Sequence, residues 1–270
     1  MAINDITLAG GMRNNLVSLQ MVSSMQARTT ERLATGKRVN SAVDDPSAYF
    51  AAQNHRNRAN DLAARKDQMG EAIQTVKAAL QGIEGITKLI EQAKGLAASA
   101  RSASAADRSS LADQFDALRT QIDQMAADGS YKGTNFLASN SLTVDFNEDG
   151  SSSLTVSGFD ASTTGLAIGA STNAWVADTD INAAVTDLDG ALATLRANAK
   201  TLASNNGVVT ARQEFTTQLI NTLTTGADVL TAADTNEEGA NMLALQTRQQ
   251  LGIVALQLSS QAQQSVMRLF

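Results

Sequence analysis

With 270 residues the chain is long enough to bury a core, and length alone suggests one or two domains. It contains no cysteine, which removes disulfides, thiolate metal sites and cysteine nucleophiles together. The net charge of −6 is concentrated: no Lys or Arg lies between Gly133 and Leu195, where Asp145, Glu148, Asp149, Asp160, Asp178, Asp180, Asp187 and Asp189 all fall. The ends are close to neutral, and no basic stripe suited to nucleic acid is present.

Apolar residues make up 43% of the chain but aromatics only 4%, so a thick core is disfavoured and thin helical packing favoured. A single proline leaves long helices unbroken. The first thirty residues carry no cleavable signal peptide, since Arg13 interrupts them and no long apolar run follows. No segment approaches 18 consecutive apolar residues, so no spanning helix is expected.

In chain order, Met12, Leu16, Leu19, Val22 and Met25 are spaced by three and four, which predicts a helix with one apolar face. Its other faces carry Asn, Gln, Ser and Thr instead of dense charge, as suits a helix contacted on several sides. Gly36 ends it, and Asn40 to Asp45 reads as a linker. Asp44 or Asp45 followed by Pro46 predicts a capped helix start. From there a helix is expected to about Ala100, with Leu62, Met69, Val76, Ile83 and Ile90 at every seventh position. Asp107 is expected to cap a further heptad helix through Leu111, Phe115, Leu118, Ile122 and Met125, which stops at Asp128-Gly129.

Between Ser130 and Asp178 the period changes to alternation. Leu142, Val144 and Phe146, then Leu154 and Val156, flank Asn147-Glu148-Asp149-Gly150, which predicts a β-hairpin. Heptads return at Ile181, Val185, Leu188, Leu192, Leu195, Ala199 and Leu202. A weaker continuation passes Phe215, Leu219, Leu223 and Leu230. A last stripe runs through Leu251, Val254, Leu258, Ala262, Val266 and Leu269, in a stretch rich in Gln and Ser.

The predicted fold is mainly α: an elongated antiparallel helical bundle with coiled-coil-like heptads, a small β-hairpin region in the centre, and terminal helices extending from one end. The expected divisions are an N-terminal helix and linker at 1–44, the first half of the bundle at 45–137, a β-rich insert at 138–177, the second half at 178–230, and a C-terminal helix at 231–270. Isolated helices of this length are marginal. The terminal stripes therefore need each other, or copies of themselves, and polymerisation is the expected behaviour.

Arg32-Leu-Ala-Thr-Gly-Lys-Arg-Val-Asn-Ser-Ala-Val-Asp-Asp45 resembles the N-terminal signature of bacterial flagellins. Asn241-Met-Leu-Ala-Leu through Arg248-Gln-Gln to Ser265-Val-Met-Arg-Leu-Phe270 is similar to their C-terminal helix. Asp128-Gly-Ser-Tyr-Lys-Gly-Thr-Asn-Phe-Leu137 is similar to the point where flagellins leave their helices for a hairpin. The resemblance covers roughly residues 1–137 and 178–270 and implies a flagellar filament subunit with a short insert.

It further implies terminal helices that are disordered in the monomer and form the inner core of the filament, through Met12, Leu16, Leu19, Val22, Met25, Leu251, Val254, Leu258, Val266 and Leu269. Arg32, Arg38, Asn40, Asp44 and Asp45 would form the linker and helix cap. Implied partners are further copies of the chain, the flagellar type III export machinery with an export chaperone, and the hook–filament junction and filament cap proteins. No cofactor, nucleic acid or membrane is implied, and the location is the extracellular filament.

The family's recognition patch for the vertebrate innate flagellin receptor carries an Arg in the long helix. Here the aligned position is Gln92, and the acidic partner position is Gln114. A hook–filament junction protein is the alternative reading, supported by Thr35 to Pro46, and a helical signalling module a more distant one. Enzyme chemistry finds no constellation: His55, the sole histidine, has Ala, Asn and Arg as helical neighbours, Asp44-Asp45 reads as a cap, and no His-Glu-x-x-His is present.

Overall fold

The computed structural model of the chain describes residues 10–267. Among them the elements follow in the order α1 (Gly10–Thr35), α2 (Pro46–Ala100), α3 (Ala105–Asp128), β1 (Ser141–Asp145), β2 (Ser153–Ser157), a short 3₁₀ turn (Asn173–Trp175), α4 (Asp178–Thr231) and α5 (Thr235–Met267). Residues 57–222 form one compact unit. The residues up to Arg56 and those from Leu223 form a second.

In the first unit, the heptad positions of α2 face inward as their spacing predicts. Leu62, Met69, Val76, Ile83 and Ile90 are all buried, and the small residues Ala79, Ala93 and Ala97 fill the rows between them. Alanine at these positions lets helices approach closely without voids. Ile181, Leu188, Leu192, Leu195 and Leu202 of α4 and Phe115 and Ile122 of α3 form one cluster with Val76, Ile83 and Ile90. Helices α2 and α4 run antiparallel, as Lys94 pairs with Asp189 and Gln213 reaches back to donate to the Lys66 carbonyl.

The α4 seam departs from the expected line at one point. Counting by seven from Leu202 leads to Val209 and Thr216, which are buried, whereas Phe215 is 56% exposed. A polar residue occupies the inward position, and the aromatic beside it does not. The start of α3 also differs. Ser104 is its N-cap, accepting from the Asp107 amide at 3.3 Å and bonded to the Asp107 carboxylate at 2.6 Å. Asp107 therefore sits three residues into the helix, braced against the Ser104 hydroxyl, instead of being the cap.

The hairpin pairs Leu142 with Val156 and Val144 with Leu154 in antiparallel register. Val144, Phe146 and Val156 are buried, Val144 and Phe146 in a cluster with Met69, Ile73 and Val209. Its turn is closed by the Ser152 amide donating to Asn147 and the Ser151 amide to Asp149, with Gly150 at φ 72°. Charge reinforces the anchorage: Arg58 pairs with Glu148, Arg65 with Asp145, and the Arg212 guanidinium lies 5.1 Å from the Phe146 ring centre. The acidic stretch is thus partly neutralised by cations from outside it, including Arg108 on Asp178 and Lys94 on Asp189.

Before α4 the chain makes a left-handed turn, with Asn173, Ala174 and Trp175 at φ 47°, 47° and 54°. Such conformations cost non-glycine residues of order 1–3 kcal/mol each. The offset is burial: Trp175 is fully enclosed, its ring centre 5.0 Å from that of Phe115. Ser171 ties the turn to α3, donating from its amide and hydroxyl to Asp116 at 3.0 and 2.6 Å.

Candidate assembly interface

The second unit is organised by the pairing of α1 with α5. The pairing is antiparallel, since Arg32 near the end of α1 meets Glu238 in the first turn of α5, and Leu19 meets Gly252. On α1 the half-buried or buried positions include Met12, Asn15, Leu19, Val22, Gln26 and Thr29, spaced three and four apart. On α5 they include Glu238, Met242, Leu245, Gln249, Gly252 and Leu256, in the same rhythm. Two heptad stripes thus close on each other, half of them polar or small. Gly252 permits the closest approach: a Cβ there would lie 2.7 Å from the Leu19 side chain.

The ion pair at the linker end is the seam's most enclosed charge contact. Arg32 Nη1 donates to Glu238 Oε1 at 2.7 Å, with the Glu238 side chain 9% exposed. Asp44 and Asp45 are the first carboxylates to follow Arg32 and Arg38 in sequence. In the fold Arg38 approaches Asp45 at 4.0 Å, and Arg32 takes a residue 206 positions away. That pairing leaves no trace in local sequence.

The two linkers lie side by side. Gly36, at φ 67°, ends α1; the Arg38 amide donates to the Thr231 carbonyl at 2.7 Å and the Ala233 amide to the Gly36 carbonyl at 2.9 Å. Asp45 caps α2, accepting from the Ala48 amide at 3.0 Å, with Pro46 in the first helical position. Asp44 does a different job, accepting from the amides of Asn40 and Ser41 and from the Ser41 hydroxyl. Those bonds, Ser41 first, with the Arg28 charge nearby, hold its carboxyl below the ordinary aspartate range.

Once the seam is closed, much apolar surface remains outside it. Leu16 and Met25 of the N-terminal stripe are 44% and 50% exposed, beside Val17 and Met21. On α5, Leu251, Val254 and Leu258 are more than half exposed, with Leu243 and Ile253 alongside. The expected stripes are therefore divided: Met12, Leu19 and Val22 look into the seam, and the remaining residues look away from it. Leu269 and the side chain of Val266 lie outside the described residues. Part of this surface forms one continuous flank, because Met25 and Arg28 of α1 line a single cleft with Ala244 and Arg248 of α5. Helical spacing carries that flank on to Met21 and Val17 along α1, and to Leu251 and Leu258 along α5.

Elsewhere, Gln92 is exposed on α2 and borders a shallow cleft with Leu96, Gln114, Ala117 and Leu118. The two positions singled out by the receptor-patch resemblance thus stand together in the fold, both uncharged amides. Among the described residues no cluster of His, Asp or Glu is arranged to hold a metal ion, and no helix is long and apolar enough to cross a membrane.

Comparison with known proteins bears on what such surfaces are for. The model of the bacterial flagellin N-terminal helical region matches residues 3–142. Flagellin FljM of Caulobacter vibrioides is 30% identical over the full length of both chains, and flagellin FljN of the same organism 32% identical, again over both full lengths. A flagellin of Brucella melitensis is 28% identical over 94% of this chain and 96% of its own. The chain belongs to the bacterial flagellin family, the structural subunits of the flagellar filament.

Proposed function

We propose that the chain polymerises into the flagellar filament used for swimming through the outward surfaces of α1 and α5. The observation that supports this is a helix pair that has satisfied its own seam and still exposes Leu16, Val17, Met21, Met25, Leu251, Ile253, Val254 and Leu258. Large apolar side chains left exposed in such number on one helix pair mark a contact site. Contacts between two different faces that do not close on themselves build helical filaments instead of rings. Copies stacked in this way enclose α1 and α5 as an inner core, to which Met12, Leu19 and Val22 contribute by fixing the pair and Leu16, Met25, Leu251, Val254 and Leu258 by meeting neighbours.

The rest of the proposal follows the family. The subunit leaves the cell through the flagellar type III export machinery, accompanied by an export chaperone, and is added to the filament under its cap, above the hook–filament junction proteins. Its role is mechanical, with no catalytic step. Arg32, Arg38, Asn40, Asp44 and Asp45 serve as the linker and helix cap.

Seeded polymerisation of the purified chain, followed by negative-stain microscopy, tests this reading. Long uniform filaments are the expected product. Soluble monomer or short aggregates under seeding would reject it and favour a junction protein or a monomeric helical module.

A further inference from the structure

The chain has no cysteine, and its one tryptophan, Trp175, is fully buried. The groups most easily oxidised in many proteins are therefore absent or enclosed, and the thioethers of methionine become the softest targets. The described methionines are not equivalent. Met69 is fully buried, and Met12, Met125 and Met242 are half-buried. Met21 and Met25 are 57% and 50% exposed, four residues apart on α1.

Their position gives the exposure a consequence. Met25 lines the cleft shared with Ala244 and Arg248 of α5, and Met21 lies one turn further along the same flank. On the α5 side the large apolar residues of that flank, Leu251 and Leu258, cannot be oxidised in this way. From these observations, and resting on the assembly role proposed above for this surface, we infer that Met21 and Met25 form an oxidation-sensitive pair that gates polymerisation. In the free subunit a peroxide reaches both sulfurs; in the filament a neighbouring copy covers them.

The chemistry is a two-electron oxygen transfer. A sulfur lone pair attacks one peroxide oxygen, the O–O bond breaks, and the departing hydroxide takes the proton of the oxygen now bound to sulfur and leaves as water. The sulfide becomes a sulfoxide and the peroxide is reduced. A flexible apolar side chain is thereby made polar and chiral, which disrupts methionine-rich contacts. Reduction of the sulfoxide by a methionine sulfoxide reductase, with a thiol as reductant, reverses the change.

The test uses the full chain and hydrogen peroxide. Monomer and preformed filament receive the same dose, peptide mass spectrometry reads the oxidation at each methionine, and the critical concentration for seeded growth is then measured. The inference predicts oxidation of Met21 and Met25 in the monomer, a critical concentration raised at least tenfold, and recovery on treatment with the reductase. It also predicts at least tenfold slower oxidation of the pair in the filament. M21L/M25L, a volume-conserving double change, is compared with its own untreated sample, and the oxidant is predicted to raise its critical concentration less than twofold. Oxidised wild-type monomer that polymerises unimpaired overturns the inference and leaves the assembly role intact; equal oxidation of the pair in a filament that does form overturns the inference together with the burial of this flank between subunits. An M21L/M25L chain as sensitive as wild type also overturns it, by placing the effect at another methionine. Failure of the untreated wild-type chain to polymerise rejects the assembly role itself.

Discussion

Replacing Leu258 separates the cost of folding from the cost of assembly. In the single chain this side chain retains 68% of its exposure, so it has little to lose there. Burying a leucine completely is favourable by about 2 kcal/mol, and about two thirds of that, roughly 1.4 kcal/mol, is left for a neighbouring subunit to supply. L258A removes this portion and should raise the critical concentration for polymerisation about tenfold. L258D adds a carboxylate that must be buried unpaired or protonated. Protonating an ordinary aspartate at pH 7 costs about 4 kcal/mol, and partial hydration at the interface reduces that, so a total near 4 kcal/mol gives about a thousandfold increase. Folding should hardly respond, since exposed substitutions fall within about 0.5 kcal/mol. L16D, at a site 44% exposed, should act in the same direction with a smaller apolar component. Pelleting assays of seeded samples give the critical concentration, and thermal unfolding followed by circular dichroism gives the folding cost. Filaments from L258D at the wild-type concentration, or a melting transition that falls with the loss of polymer, would refute the reasoning.

Truncating Phe115, which packs fully buried against Trp175, should cost about 3–5 kcal/mol and lower the melting temperature of the 57–222 unit by about 10 °C; Trp175 fluorescence reports it, and a change under 2 °C would contradict the packing described. Asp44 titrates below its ordinary value of 3.8, so its linker contacts are fully present above that pH and are lost as the pH falls through the lower, folded value. Nuclear magnetic resonance should find its midpoint below 3.8, with the Asn40 and Ser41 amides moving in step, and a midpoint at or above 3.8 would remove the linker role. With Gln92 and Gln114 in place of a charged pair, purified monomer should stimulate reporter cells bearing the vertebrate flagellin receptor only weakly; a full-strength response would refute that reading.

Much of the 57–222 unit was legible in sequence because its heptads are made of Leu, Ile, Val and Met, whose burial and spacing agree. Leu62 to Ile90 and Ile181 to Leu202 needed no tertiary information. The reading slipped where identity and spacing disagree: Phe215 is apolar but falls one residue off the heptad, and Thr216 is polar but falls on it. Ser104 and Asp107 bond to each other at the start of α3, where either residue alone looks like a cap. The left-handed turn carrying Trp175 had no local signal, because non-glycine residues adopt it only under tertiary constraint. The counter-ions of the acidic centre, Arg58, Arg65, Lys94 and Arg108, lie far away in the chain, so its partial neutralisation has no local signal.

At the candidate interface the apolar stripes were visible but their division was not. Spacing of three and four places Met12, Leu16, Leu19, Val22 and Met25 on one broad face, and a face that broad meets two partners. Which residues turn towards α5 is decided by Gly252 receiving Leu19 and by Glu238 receiving Arg32, both contacts between opposite ends of the sequence.

The account turns on whether the outward flank of the α1–α5 pair is what subunits use to meet. Electron cryo-microscopy of the seeded polymer, at a resolution that places side chains, tests this most directly. Met21, Met25, Leu251 and Leu258 are predicted to lie buried between subunits in a helical filament, with α1 and α5 forming its inner wall. A filament in which these four side chains face solvent, or in which the subunits join through residues 57–222 alone, would contradict the account.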